Sequence, residues 1–413
     1  MSMTNQNSLI EALEPVKPFI SEELIDETGW QQINALAKQL PCSITRFFGF
    51  ECRLGVATAE TDFLLCITRD GRGKNFLDGS EVSPFFSETI FQKPVWSQLQ
   101  NFVTAWQDPS SLFRKRGMIN QVFTNELELP YSNPKSIVNY PPFALFRKGE
   151  NQQRSINQVF SNELELLYHH IQNIWLEFDL PRKGQPDLLP SCFLGLSSLG
   201  SQVITKQYAW LTKTTLPLLR GTPLSSQLEK QLLSCINALP KQGIVSFIGL
   251  MLARQWQTIR ICLKGIAPSE LINYLKKVQW SGSTTALQTA LNSGLFLVDD
   301  ITLTLEIGEM GVMPKIGFEC YFNQQPKFES RWEQFLDYLV KTDLCLPEKQ
   351  EALLSYPGYL QQGSPWPGHW VTLANFLGRD SILIRRINHI KLTFEQDRML
   401  EAKAYPSVRY MML

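Results

Sequence analysis

Several short stretches of this chain place acids, bases and aromatic hydroxyls on every second residue. FFGFECRLG (Phe47 to Gly55) sets Glu51 and Arg53 in one row and Phe50, Cys52 and Leu54 in the other. A close echo, KIGFECYF (Lys315 to Phe322), sets Lys315, Gly317, Glu319 and Tyr321 against an apolar row. The same alternation collects Trp175, Glu177 and Asp179; Ser191 and Phe193; Arg260, Cys262 and Lys264; His389, Lys391 and Thr393; and Glu401, Lys403 and Tyr405. Successive strand residues point to opposite faces, so each stretch reads as a strand with one oily and one polar face. Held together, these groups could do chemistry. Guanidinium and ammonium groups fix an anion, phenols add donors, a carboxylate in reach accepts a proton, and aromatic faces attract a cation.

The elements that must position these rows follow from period. Helical stretches alternate with pairs of strands: SITRFFGFECRLG with TDFLLCIT, NIWLEFDL with PSCFLGL, IVSFIGLML with TIRICLKGI, LVDDITLTLEIG with PKIGFECYF, and ILIRRINHIKLTFE with RMLEAKAYPSV. Between them SSQLEKQLLSCINAL, PSELINYLKKV, TTALQTALN, SRWEQFLDYLVK and LPEKQEALLS read as helices. Trp332, Phe335, Leu336 and Leu339 form the i, i+3, i+4, i+7 stripe of a helix covering a core. Five hairpins give ten antiparallel strands, and a sheet of that size curls, splits or closes to dispose of its edges. The polar row either faces water on an open sheet or, with helices covering the apolar face all round, lines an inner lumen. The interleaved helices favour the lumen.

INQVFTNELEL at Ile119 to Leu129 recurs as INQVFSNELEL at Ile156 to Leu166, a local tandem duplication with no continuing period. The second copy places Ile156, Phe160, Leu164, Leu167, Ile171 and Ile174 at helical spacing and reads as a framework helix. The first runs into a proline-rich tract and reads as part of an inserted surface lobe around 113–150.

Balanced charge, 39 basic against 39 acidic residues, gives no sign of a nucleic-acid footprint or a polybasic membrane patch, and neither partner is expected. The start MSMTNQNSLIEALEPV lacks a signal-peptide pattern, and no apolar run reaches a membrane span of roughly 20 residues, so a cytoplasmic protein is expected. The eight cysteines are scattered without a CxxC pair and read as buried thiols. His169, His170 and His369 show no ligand spacing, Asp299 and Asp300 read as a strand-edge turn, and no phosphate-binding glycine loop or nucleophile elbow is present.

Helix-helix-strand-strand repeats closing a ten-stranded barrel, together with FECRL at Glu51, resemble the ABBA prenyltransferases, in their dimethylallyltryptophan-synthase branch. The resemblance covers the chain from about Leu40 onward. It implies an α+β fold, a closed ten-stranded antiparallel barrel of five ααββ repeats with helices outside, in one domain over residues 1–413. It also implies transfer of an isoprenyl group from an allylic diphosphate to an electron-rich aromatic or peptide acceptor in specialised metabolism, with no cofactor required and magnesium as an optional companion of the diphosphate. Glu51 is then the catalytic proton acceptor, with Glu177 in reserve, and Glu51→Gln is expected to abolish turnover with little loss of folding. Arg53, Glu177, Arg260, Lys264, Lys315, Tyr321, His389, Lys391, Lys403 and Tyr405 form the substrate-binding set, with Glu319 and Glu401 neutralising Lys315 and Lys403.

The family pattern is incomplete here: Ser191 and Phe193 stand where a lysine and a tyrosine are expected, Cys262 replaces a lysine, Lys264 a tyrosine, and TDFLLCIT lacks an arginine. The alternative is therefore a catalytically diverged barrel that binds a peptide or small metabolite without prenyl transfer, or one acting on another phosphorylated or cationic substrate.

Overall fold

The structure, a computed structural model, describes residues 8–69, 71, 73–80, 93–107, 170–181, 183–184, 186–200, 210–252, 258–361 and 381–412. The duplicated segment and the lobe around 113–150 lie outside the described residues, as do His169 and His369.

Eleven strands form one sheet: β1 (Phe47–Arg53), β2 (Thr61–Thr68), β3 (Ile171–Phe178), β4 (Ser191–Gly200), β5 (Ile244–Leu250), β6 (Ile259–Lys264), β7 (Asp300–Gly308), β8 (Gly311–Tyr321), β9 (Gly358–Gln361), β10 (Ser381–Glu395) and β11 (Arg398–Met412). Neighbours run β1 to β8 in sequence, β8 pairs with β10, β10 with β11, and β11 returns to β1. The seam is antiparallel, from Phe47 opposite Arg409 to Arg53 opposite Lys403, so ten strands close into a barrel without free edges. The four-residue β9 sits outside the ring, paired with Ile382 to Arg385 while the far half of β10 pairs with β8. That eleventh strand was not expected. β10 and β11 are 15 residues each, long enough for β10 to pair with β9 and then β8 along one edge and with β11 along the other.

Helices cover the outer row. The helix Glu27–Ala37 starts at Asp26, whose side chain accepts from the Gly29 N–H at 2.7 Å, and presents Trp30 edge-on to Phe50 at 5.8 Å. Phe48, Phe50, Phe63 and Phe178 on that row are fully buried. The helix Pro94–Gln107 is tied to the barrel by two indoles: Trp96 donates to the Leu188 carbonyl at 2.6 Å and Trp106 to the Ile171 carbonyl at 3.2 Å. Ser226–Asn237 and Thr284–Ser293 are capped by Ser225 and Ser283, Pro268–Lys277 opens with proline, and Arg331–Lys341 buries the expected stripe of Trp332, Phe335, Leu336 and Leu339.

One helical expectation fails. Ile171, expected at the end of the helix, belongs to β3 and pairs with Leu196, while Ile174 lies in the strand NIWLEFDL as expected. Apolar residues three apart satisfy a helix, but the alternation of Asn173, Trp175 and Glu177 wins because β2 and β4 supply hydrogen bonds on both sides. Whether two helices precede every hairpin stays an expectation, since 81–92, 108–169 and 201–209 lie between described elements. No helix among the described residues is long and apolar enough to cross a membrane. All eight cysteines are buried free thiols, and burial pushes those at 42, 52, 66, 235, 262 and 345 up to about 12.

Candidate active site

Register carries the polar row round the barrel. Glu51 stands opposite Asp62, Leu64 opposite Glu177, Glu177 opposite Ser191 and Trp175 opposite Phe193. Phe193 faces Gly249, Gly249 faces Arg260, Arg260 faces Glu306 and Thr302 faces Glu319. Glu319 faces Lys391, Lys391 faces Lys403, and Lys403 faces Arg53 beside Glu51, closing the circle. The inward row is therefore continuous. Sequence reading missed its contribution from β2 (Asp62, Leu64), β5 (Phe247, Gly249) and β7 (Thr302, Thr304, Glu306). ITLTLEI alternates plainly enough to have revealed the last three.

Glu51 is 4 % exposed. Its Oε1 lies 2.6 Å from Lys403 Nζ and its Oε2 accepts from the Tyr405 hydroxyl. Burial works to raise this carboxyl, but the Lys403 charge and hydrogen bond, the Tyr405 hydroxyl and the Lys391 charge overcome it and hold it far below the usual carboxylate range. The same partnership raises Lys403 against its own burial. Burial and the Glu51 charge push Tyr405 well above 10, so it remains a phenol.

The echo of that motif is built alike. Glu319 Oε2 accepts from the Tyr321 hydroxyl at 2.8 Å, and Oε1 lies 3.9 Å from Lys391 Nζ and 3.4 Å from the Thr304 hydroxyl. Burial again opposes ionisation, while His389, Lys391 and Tyr321 lower the carboxyl. Lys264 Nζ stands 4.8 Å from the Tyr321 ring centre. Arg260 is paired with Glu306, Nε to Oε1 at 3.2 Å, and lies 5.7 Å from the Phe193 ring centre.

A cavity of about 120 Å³ is walled by Trp175, Glu177, Phe193, Phe247, Arg260, Glu319, Tyr321, His389, Lys391 and Tyr405, with Leu64 and Cys262. Glu177, Arg260, Tyr321, His389, Lys391 and Tyr405 of the expected set thus converge. Glu51 and Lys403 lie on the same face one layer behind Tyr405, and Lys264 behind Tyr321.

Two expected members are elsewhere. Arg53 is half-exposed and paired with Glu60 at 3.2 Å, beside a second cavity of about 400 Å³ that also touches Asp62 and Lys183. Lys315 is half-exposed and paired with Glu401 at 3.0 Å. Arg53 is the last residue of β1, and Lys315 lies within the exposed first half of β8. The expected neutralisation also changes: Glu401 serves Lys315 and, at 3.9 Å, Lys403, but Glu319 serves Lys391, because β8 lies next to β10 rather than β11.

Asp62 is a further carboxyl at the mouth. Its Oδ1 accepts from the Leu180 N–H at 2.9 Å, and burial, then the Glu51 charge, raise its pKa to about 8. Asp299 is structural, accepting from the Asn323 N–H and from Arg331, each at 2.8 Å.

No protein-family model matches the chain, and no curated protein matches it. Among solved structures, the crystal structure of AnaPT from Neosartorya fischeri aligns over 89 % of this chain and 78 % of that chain, with 11 % sequence identity and a TM-score of 0.40.

Proposed function

We propose that this barrel transfers an isoprenyl group from an allylic diphosphate to an electron-rich acceptor. The observation that carries the reading is the convergence of Arg260, Lys391, Tyr321 and Tyr405 on one aromatic-walled cavity inside a closed barrel. Ionisation of an allylic diphosphate leaves an anion for fixed cations and phenols to hold, and a carbocation for aromatic faces to shelter from water. Trp175, Phe193 and Phe247 supply the apolar wall.

Bond formation then leaves a proton to remove. Tyr405 faces the cavity and donates to Glu51, so its oxygen takes the acceptor's proton as its own passes to Glu51 Oε2. An alkylated, positively charged ring is a strong acid, so a carboxylate held at low pKa is still basic enough. Glu177 and Glu319, on the wall itself, are the other acceptors in reach.

A second reading is favoured by the ion pairs. Arg260, Lys391 and Lys403 are already matched by Glu306, Glu319 and Glu51, so a diphosphate must compete with built-in carboxylates. A barrel balanced in this way suits an uncharged ligand, with no transfer.

Calorimetric titration of the protein with dimethylallyl and geranyl diphosphate separates the two. Transfer requires saturable heat and thermal stabilisation with at least one of them. Silence with both, beside binding of neutral aromatics, favours the binder.

A further inference from the structure

Two clusters of the same composition meet at one imidazole. Lys403, Glu51 and Tyr405 form the first, and Lys391, Glu319 and Tyr321 the second. Between the two phenols lies His389, stacked on Tyr405 at 4.1 Å between ring centres and 20° between planes, and tilted 39° against Tyr321 at 5.1 Å. A bulge in β10 puts it there. Ile387 pairs with Pro406 and Ile390 with Ala404, so Asn388 and His389 stand against Tyr405 alone. Bulges of this kind re-aim a side chain, and here both residues reach the cavity wall.

His389 is 7 % exposed, and neither Nδ1 nor Nε2 has a hydrogen-bond partner among the described residues. A neutral imidazole carries one N–H donor and one bare nitrogen. Leaving both unmade in a buried site costs stability that a phenylalanine, stacking equally well, would not lose. Packing alone therefore does not account for histidine at this position. Charging the ring is opposed as well: burial is the largest influence, and Lys391 and Lys264 add to it against the pull of Glu319 and Glu51, holding the pKa down to about 4.

We propose that His389 is a positioning residue that hydrogen-bonds an uncharged N–H or O–H group of the molecule taken into the lumen, selecting such molecules over apolar ones of the same shape. This rests on the acceptor half of the function proposed above and is independent of its diphosphate half. An uncharged partner suits the site because Lys391 is paired with Glu319, Lys403 with Glu51, and the Tyr321 hydroxyl with Glu319.

Phenol and toluene, nearly equal in shape, are suitable probes of the 413-residue chain. With ¹⁵N-histidine labelling, the His389 imidazole is identified by its loss in His389→Gln. The proposal requires that phenol move its nitrogen shifts, that toluene leave them in place, and that phenol bind more tightly than toluene. His389→Phe should cut the phenol-to-toluene preference by about tenfold or more, the worth of one hydrogen bond, while toluene binding persists; His389→Gln should restore part of it. If His389→Phe does not fold, the labelled wild type and His389→Gln decide the matter. Equal affinity for the two probes, binding of neither, unmoved His389 shifts at phenol saturation, or an unchanged preference in a folded His389→Phe would each overturn it. None of these outcomes depends on whether a diphosphate binds.

Discussion

Glu51 and Asp62 stand opposite one another on β1 and β2, and their surroundings drive them in opposite directions. Glu51 is held ionised by Lys403 and Tyr405, while burial and the neighbouring Glu51 charge raise Asp62 to about 8. Asp62 therefore binds a proton in the folded state that the unfolded chain has released above its ordinary range near 4. The sign follows: its contribution is full below pH ~4 and falls as pH rises toward 8. His389 runs the other way. With its folded pKa near 4, below the ordinary 6.5, it destabilises the protein as pH falls from 6.5 toward 4. The two slopes offset each other between pH ~4 and 6.5, leaving Asp62 alone above that. Urea unfolding should therefore show stability falling from pH 6.5 to 8 in the wild type and a flatter course in Asp62→Asn. A steeper fall in the variant would contradict this account.

Glu51→Gln should lower turnover by about 10²- to 10⁴-fold if Glu51 receives the acceptor's proton. The sequence led us to expect little loss of folding, but the structure requires more. Lys403 would lose its nearer counter-charge and keep Glu401, at 3.9 Å, as its carboxylate among the described residues, so a loss of about 3 kcal/mol in unfolding free energy is expected.

At the scale of elements, the barrel works because each inward row is shaped as well as charged. Gly249 on β5 illustrates this: a Cβ there would lie 2.2 Å from Phe193 Cδ1, so the absence of a side chain is what lets the Phe193 ring lie across β5 and wall the cavity. Gly249→Ala should cost about 1–3 kcal/mol, read by chemical denaturation, and displace Phe193. A neutral result would show that the ring has room to turn.

What was legible in the sequence divides along similar lines. β1, β3, β8, β10 and β11 set a charged row against an apolar one, so their inward residues could be sorted by alternation. TDFLLCIT and IVSFIGL are mostly apolar on both rows, which hides Leu64, Phe247 and Gly249. Counting back from Lys391 placed His389 correctly, but carried past the β10 bulge the same count inverts, since Arg386 pairs with inward Ser407. Pairings such as Glu319 with Lys391 depend on strand order, which no single strand encodes.

Taken whole, the molecule depends on closure. Lys403 and Glu51 lie 352 residues apart, and only the β11–β1 seam brings them to 2.6 Å. That contact holds Glu51 ionised and, through Tyr405, reaches the cavity wall. The family resemblance seen in the sequence implied a closed ten-stranded antiparallel barrel, and the registers of the ten ring strands establish that closure.

The most direct test is a double-mutant cycle by urea unfolding with Glu51→Gln, Lys403→Met and both together, at low and high salt. A pair sealed inside the barrel should show a coupling above about 1.5 kcal/mol that survives 1 M NaCl. A coupling of about 0.5 kcal/mol or less that vanishes with salt is what two solvent-exposed charges would give, and it would contradict the closed lumen on which the account rests.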